Sequence, residues 1–195
     1  MYRLAYVESK REDAVVVEGV TLTSRVLRVN LGEAHRVFPF VATCGVELDA
    51  WAQSIRDMLE RFWADAIMEA ALRFAWEALE KDIARRHALD RSAVMNPGSL
   101  ADWPLEEQRH LFRLLGEPRK AIGVELTESF LMVPIKSVSG LRFPSGAHYE
   151  NCQLCPRDPC PGRRAPYDPD LYERRYAHGG VLPVSSTPES AGRGQ

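Results

Sequence analysis

The chain has 195 residues, 45% hydrophobic and 27% charged, with a formal net charge of −2. That length supports one core with appendages, and the composition excludes global disorder and a collagen-like repeat. Near-neutral charge supplies no bulk attraction to nucleic acid or an anionic membrane. No apolar run approaches the roughly 20 residues that cross a bilayer, and Met1–Asp13 lacks the apolar centre of a secretory signal. A cytoplasmic location is expected, where the four cysteines stay reduced.

Short apolar runs at Val15 to Val17, Val20 to Leu22, Val26 to Val29 and Val37 to Thr43 predict strands. From Val46 to His87 the apolar spacing changes to three and four, through Leu59, Phe62, Trp63, Ala66, Ile67, Ala70, Phe74, Ala78 and Leu79. This predicts a long helix with one buried stripe, Phe62, Phe74 and Leu79 supplying most of its buried area. Asp102 before Trp103-Pro104-Leu105-Glu106-Glu107 predicts a helix start, and Gly116 its end. Between Ala121 and Phe143, two strands are expected around a turn at Thr127-Glu128-Ser129, with Pro134 marking an edge or bulge. Beyond Pro144 the chain becomes rich in Pro, Arg, Gly and Asp. The expected organisation is therefore a domain over 1–144, a cysteine-containing arm over 145–178 and a disordered tail over 179–195.

Four blocks carry a resemblance: Asn96-Pro97-Gly98-Ser99, Asp102 to Gln108, Ile122 to Ser129 with its Leu-Thr-Glu-Ser, and Pro134 to Gly140 with its Ser-Val-Ser-Gly. They resemble the activation domain of cobalamin-dependent methionine synthase, and more closely its stand-alone, corrinoid-associated members, over roughly residues 37 to 143. The resemblance implies an α+β fold, a bent antiparallel sheet flanked by helices in a single domain. It implies S-adenosylmethionine as methyl donor to cobalamin carried by a partner, a corrinoid protein or cobalamin-dependent methyltransferase. A separate electron donor such as flavodoxin would reduce the cobalt. The domain's own contribution would be to position the methyl group, with no acid or base catalyst.

By the same resemblance, Glu69 is the residue placed to contact S-adenosylmethionine, through its ammonium group. Asp65, Glu69 and Arg73 also stand at i, i+4 spacings, the pattern of a surface ion-pair ladder. The family's Arg-Pro-x-Pro-Gly-Tyr segment is Val94 to Ser99 here, which keeps Pro97 and Gly98 but neither the arginine nor the tyrosine. After Ser-Val-Ser-Gly the chain reads Leu141-Arg142-Phe143, so Arg142 is a candidate anion-binding group. Glu128, Ser137 and Ser139 would line a polar cleft with Thr127 and Ser129, while Gly98 and Gly140 would admit a ligand close to backbone. Turn and strand-end hydrogen bonding accounts for the same residues individually.

Cys152, Cys155 and Cys160 place three thiols within nine residues. With Cys44, or with His148, they would complete a zinc or iron-sulfur site that pins the arm to the core. Reduced spectator thiols and a redox disulfide are the alternatives. Arg157, Arg163, Arg164, Arg174 and Arg175 alternate with Tyr167, Tyr172 and Tyr176, but Asp158, Asp168, Asp170 and Glu173 dilute their charge. A solvated or core-wrapping arm is expected there rather than a nucleic-acid or partner surface. The histidines are scattered, and no catalytic triad or phosphate loop is present. Two functions follow: an accessory protein for cobalamin reactivation, or a metal-bearing electron-transfer or corrinoid-interaction protein that no longer binds S-adenosylmethionine. A basic-tailed binding protein unrelated to cobalamin is the weaker third reading.

Overall fold

The computed structural model describes residues 1–146 and 149–177. His148 and the expected tail at 179–195 lie outside the described residues. Among the described residues eight strands form: β1 (Ala5–Lys10), β2 (Ala14–Val17), β3 (Val20–Thr23), β4 (Arg36–Thr43), β5 (Ser92–Met95), β6 (Glu125–Leu126), β7 (Met132–Val133) and β8 (Ser137–Pro144). Five α-helices accompany them: α1 (Arg25–Leu31), α2 (Val46–Ser54), α3 (Met58–His87), α4 (Gln108–Leu115) and α5 (Pro118–Ile122). Six strands make one bent antiparallel sheet in the order β3-β2-β1-β4-β8-β5, and β6 with β7 makes a small hairpin. The fold class is the expected α+β, with the sheet flanked by helices.

Strand β4 is buried on both faces, which is why its sequence is continuously apolar rather than alternating. Val37 and Val41 point into the larger cluster with Leu141, Phe143, Trp103 and the α1 and α4 leucines. Phe38 and Phe40 point the other way, onto Leu79 and Ile83 of α3. The described helices include none long and apolar enough to cross a membrane.

Several expectations change. Val26 to Val29 lie in helix α1, not a strand: Ser24 accepts from the Leu27 N–H, and Gly32 ends the helix. Asp102 does not start its own helix. Its carboxylate accepts from the Val26 N–H at 3.0 Å and from the Ser24 hydroxyl, so it caps α1 across the chain. The helical segment after it begins later, with a 3-10 turn at Leu105–Glu107 that leads into α4, and ends at Gly116 as expected. Ala121 to Phe143 hold the end of α5, the β6–β7 hairpin and most of β8, and Pro134 falls between strands.

The stretch 46–87 is two helices, because Asp57 caps α3 by accepting from the Leu59 and Glu60 N–H groups. Of the expected stripe, Leu79 is buried, but most of its large residues are not. Ala64, Met68, Leu79 and Ile83 are buried, whereas Leu59, Phe62, Trp63, Ile67 and Phe74 are exposed. The C-terminal half of α3 lies on the sheet, but its N-terminal half meets a small cluster with Ala52 of α2. The arm wraps the larger core: Tyr149 and Tyr176 are buried in it, and the Tyr176 hydroxyl donates to Asn30 Oδ1 at 2.9 Å.

Candidate functional site

A groove opens where β5 ends and β8 begins, at one edge of the sheet. It consists of two hollows, of about 440 and 640 Å³, that share Asn96, Val138 and Arg164. Asn96, Pro97, Ser99, Gln108, Leu131, Met132, Ser137 and Ser139 line the first. Glu69, Arg73 and Trp76 of α3 line the second with Val94 and residues 161–164 of the arm. Each hollow falls within the size range of small-molecule sites.

The polar side chains of the first hollow are fixed by one another. Ser139 donates to Gln108 Oε1 at 2.6 Å, and Gln108 Nε2 donates to the Phe130 carbonyl at 2.7 Å. Ser137 donates to the Pro134 carbonyl at 2.6 Å and stands 2.9 Å from Thr43 Oγ1. Asn96 donates to the Ser139 carbonyl at 2.7 Å and accepts from Asn151 Nδ2 at 3.2 Å, tying the sheet edge to the arm. Trp76 packs against Phe40 with ring centroids 4.7 Å apart.

Glu69 sits at the wall of the second hollow, but its ion pair is not the expected ladder with Arg73. Lys136 Nζ, just before β8, lies 3.1 Å from Asp65 and 3.3 Å from Glu69. The Asp65 bond, aided by Glu69, holds the Lys136 ammonium above the usual lysine range against the opposing effect of burial. The opposite wall is basic. Arg164 pairs with Glu150 at 3.0 Å, and the Arg163 guanidinium donates to the Cys152 and Cys155 carbonyls, which braces the arm segment that lines the groove.

Glu69, Ser137 and Ser139 are therefore brought to one concavity, whereas the other candidate ligand-binding residues are not. Glu128 is exposed on the β6–β7 turn and lines neither hollow. Arg142 pairs with Glu80 of α3, so its guanidinium is committed there. Gly98 has φ +83°, and a Cβ there would lie 2.9 Å from Leu105, while a Cβ on Gly140 would lie 2.6 Å from Asn96 Nδ2 and from the Met95 carbonyl. Both glycines admit protein atoms rather than a ligand.

The four cysteines are free, and the four-thiolate arrangement is not formed. Cys44 packs against the Ala52, Ala64 and Met68 cluster, and Cys155 against the larger core. Burial, with the nearby Asp49 charge, pushes the Cys44 thiol up and keeps it protonated. Among the described residues no group of three or more His, Cys, Asp or Glu side chains is placed to hold a metal ion. Sequence reasoning missed Asn96, Gln108, Trp76 and Arg164 as groove residues. Asn96 and Gln108 carried a signal, through the blocks of the resemblance that contain them, and Trp76 and Arg164 carried none.

A bent antiparallel sheet flanked by helices, with a groove at the sheet edge, defines an α+β domain. The chain belongs to the family of the vitamin B12-dependent methionine synthase activation domain, whose model matches residues 32–160. A similar solved structure is the MetH reactivation domain bound to AdoHcy, with 21% sequence identity and a TM-score of 0.58. The match covers 76% of this chain and 59% of that one, so the chain spans about three fifths of that structure's length. No curated protein matches the sequence.

Proposed function

We propose that the chain supports reductive reactivation of cobalamin carried on a separate corrinoid protein, by holding S-adenosylmethionine in the groove between α3, β5, β8 and the arm. The observation that carries this reading is the meeting of Glu69, Asn96, Ser137 and Ser139 in one concavity. Its donor set suits an α-amino acid ligand. The Glu69 carboxylate, shared with Lys136, takes an ammonium group, Arg73 faces a carboxylate, and the serine and asparagine groups satisfy ribose or base polar atoms.

S-adenosylmethionine supplies an electrophilic sulfonium methyl group. The chain's residues supply position: Glu69 and Arg73 fix the two ends of the amino-acid moiety, and Trp76 walls off water. Cob(II)alamin takes one electron from a reductant, flavodoxin being the proposed donor, to give cob(I)alamin. Its cobalt then takes the methyl group, and S-adenosylhomocysteine is released. Nothing in this scheme asks the chain for a proton, which agrees with a groove built from positioning groups.

Isothermal titration with S-adenosylmethionine and with S-adenosylhomocysteine tests the reading. Saturable heat is expected for both, weakened roughly tenfold in Glu69→Gln, as the loss of one charge-assisted hydrogen bond implies. Absence of saturable heat at millimolar ligand, with and without a cobalamin-loaded corrinoid protein, refutes it.

A further inference from the structure

Helix α3 is apolar on two opposite sides, and among the described residues only one of them is covered. Met58, Leu59, Phe62, Trp63, Ile67 and Phe74 are between 49% and 85% exposed. Five of them, Leu59 to Phe74, recur at helical spacing with Ala66 and Ala70 between them, opposite the buried Ala64, Met68 and Leu79. Allowing roughly 200 Å² for a fully open large side chain, the five stripe residues offer on the order of 600 Å² of apolar surface, and Met58, off the stripe at the helix start, about 200 Å² more. Patches on monomers seldom exceed about 300–600 Å², whereas a stable interface buries about 800 Å² per partner.

We infer that this face of α3 pairs with the same face of a second copy of the chain, the two helices running antiparallel about a two-fold axis between Ala66 and Ile67. With the polar residues that flank it, a stripe of this size approaches the area a dimer needs. The pattern also complements itself in size: an antiparallel pairing with that centre sets Trp63 opposite Ala70 and Leu59 opposite Phe74. The alanines at the centre let the two backbones approach, and the aromatic rings fill the space on either side. The inference stands apart from the proposed function, because it rests on a surface outside the groove lining.

Light scattering on the purified full chain is expected to give twice the monomer mass at micromolar concentration. Trp63→Glu is expected to return the monomer with unchanged circular dichroism, since the side chain is exposed and its replacement leaves the core intact. Ala66→Cys, near the axis, is expected to give a disulfide-linked dimer above the wild-type background on mild oxidation, and Ala78→Cys, far from it, is not. A monomeric wild-type mass overturns the inference, whichever molecule then covers the helix. A dimer that survives Trp63→Glu, or that cross-links equally through Ala78→Cys, also overturns it.

Discussion

Replacing Gly140 by alanine tests whether the groove's floor is as tightly built as the geometry says. The added Cβ would sit 2.6 Å from Asn96 Nδ2, 2.6 Å from the Met95 carbonyl and 2.7 Å from Phe40 Cζ. Only the Asn96 amide is free to swing away; the carbonyl belongs to β5, and the Phe40 ring is locked under Trp76. The substitution must therefore push β5 from β8 or displace the ring, an overpacking strain of about 1–3 kcal/mol. At about 2–4 °C per kcal/mol for a chain of this size, the melting temperature should fall by roughly 2–12 °C. Moving Asn96 also breaks its bond to the Ser139 carbonyl, so ligand affinity should fall with stability. Gly146→Ala is the control, because a Cβ there meets nothing within 4 Å. Calorimetric melting of the two variants beside the wild type decides the matter. If Gly140→Ala melts within about 1 °C of the control, the close approach of β5 to β8 is wrong.

Lys136→Met should lower stability by less than ~1 kcal/mol, because Asp65 and Glu69 are largely exposed and well screened. The wild-type contribution is complete below about pH 10.4, the unfolded lysine value, and fades as pH rises through the higher folded one. Urea midpoints measured from pH 8 upward should converge for wild type and variant; parallel curves would show that the ion pair contributes nothing. Tyr176→Phe removes the hydroxyl that donates to buried Asn30 Oδ1 and should cost about 1–3 kcal/mol by urea denaturation. A loss below about 0.5 kcal/mol would mean that the arm is not anchored there.

The parts of the fold legible in the sequence are those whose signal is local. The runs at Val15 to Val17 and Val37 to Thr43 name their strands because β-branched and aromatic residues suit a pleated surface. Gly116 names the end of α4 because its φ of +85° disfavours other residues. What stayed illegible depends on the neighbour. Apolar spacing in α3 shows which residues share a face but not which face meets the sheet, so Phe62 and Phe74 looked buried. Asp102 carries the chemistry of a helix cap, but nothing local says that the helix it caps is α1. The groove divides the same way. Ser137 and Ser139 stand out through a family resemblance, while Arg164 reaches the groove only because the arm folds back.

Asn96 deserves a last consequence. One amide uses its nitrogen on the strand beneath the cavity and its oxygen on Asn151 of the arm above. Base and canopy are thus riveted at a single side chain, and a bound molecule would feel both through it. Limited proteolysis that severs the canopy should loosen the base as well, so occupancy and resistance to cleavage ought to rise and fall together.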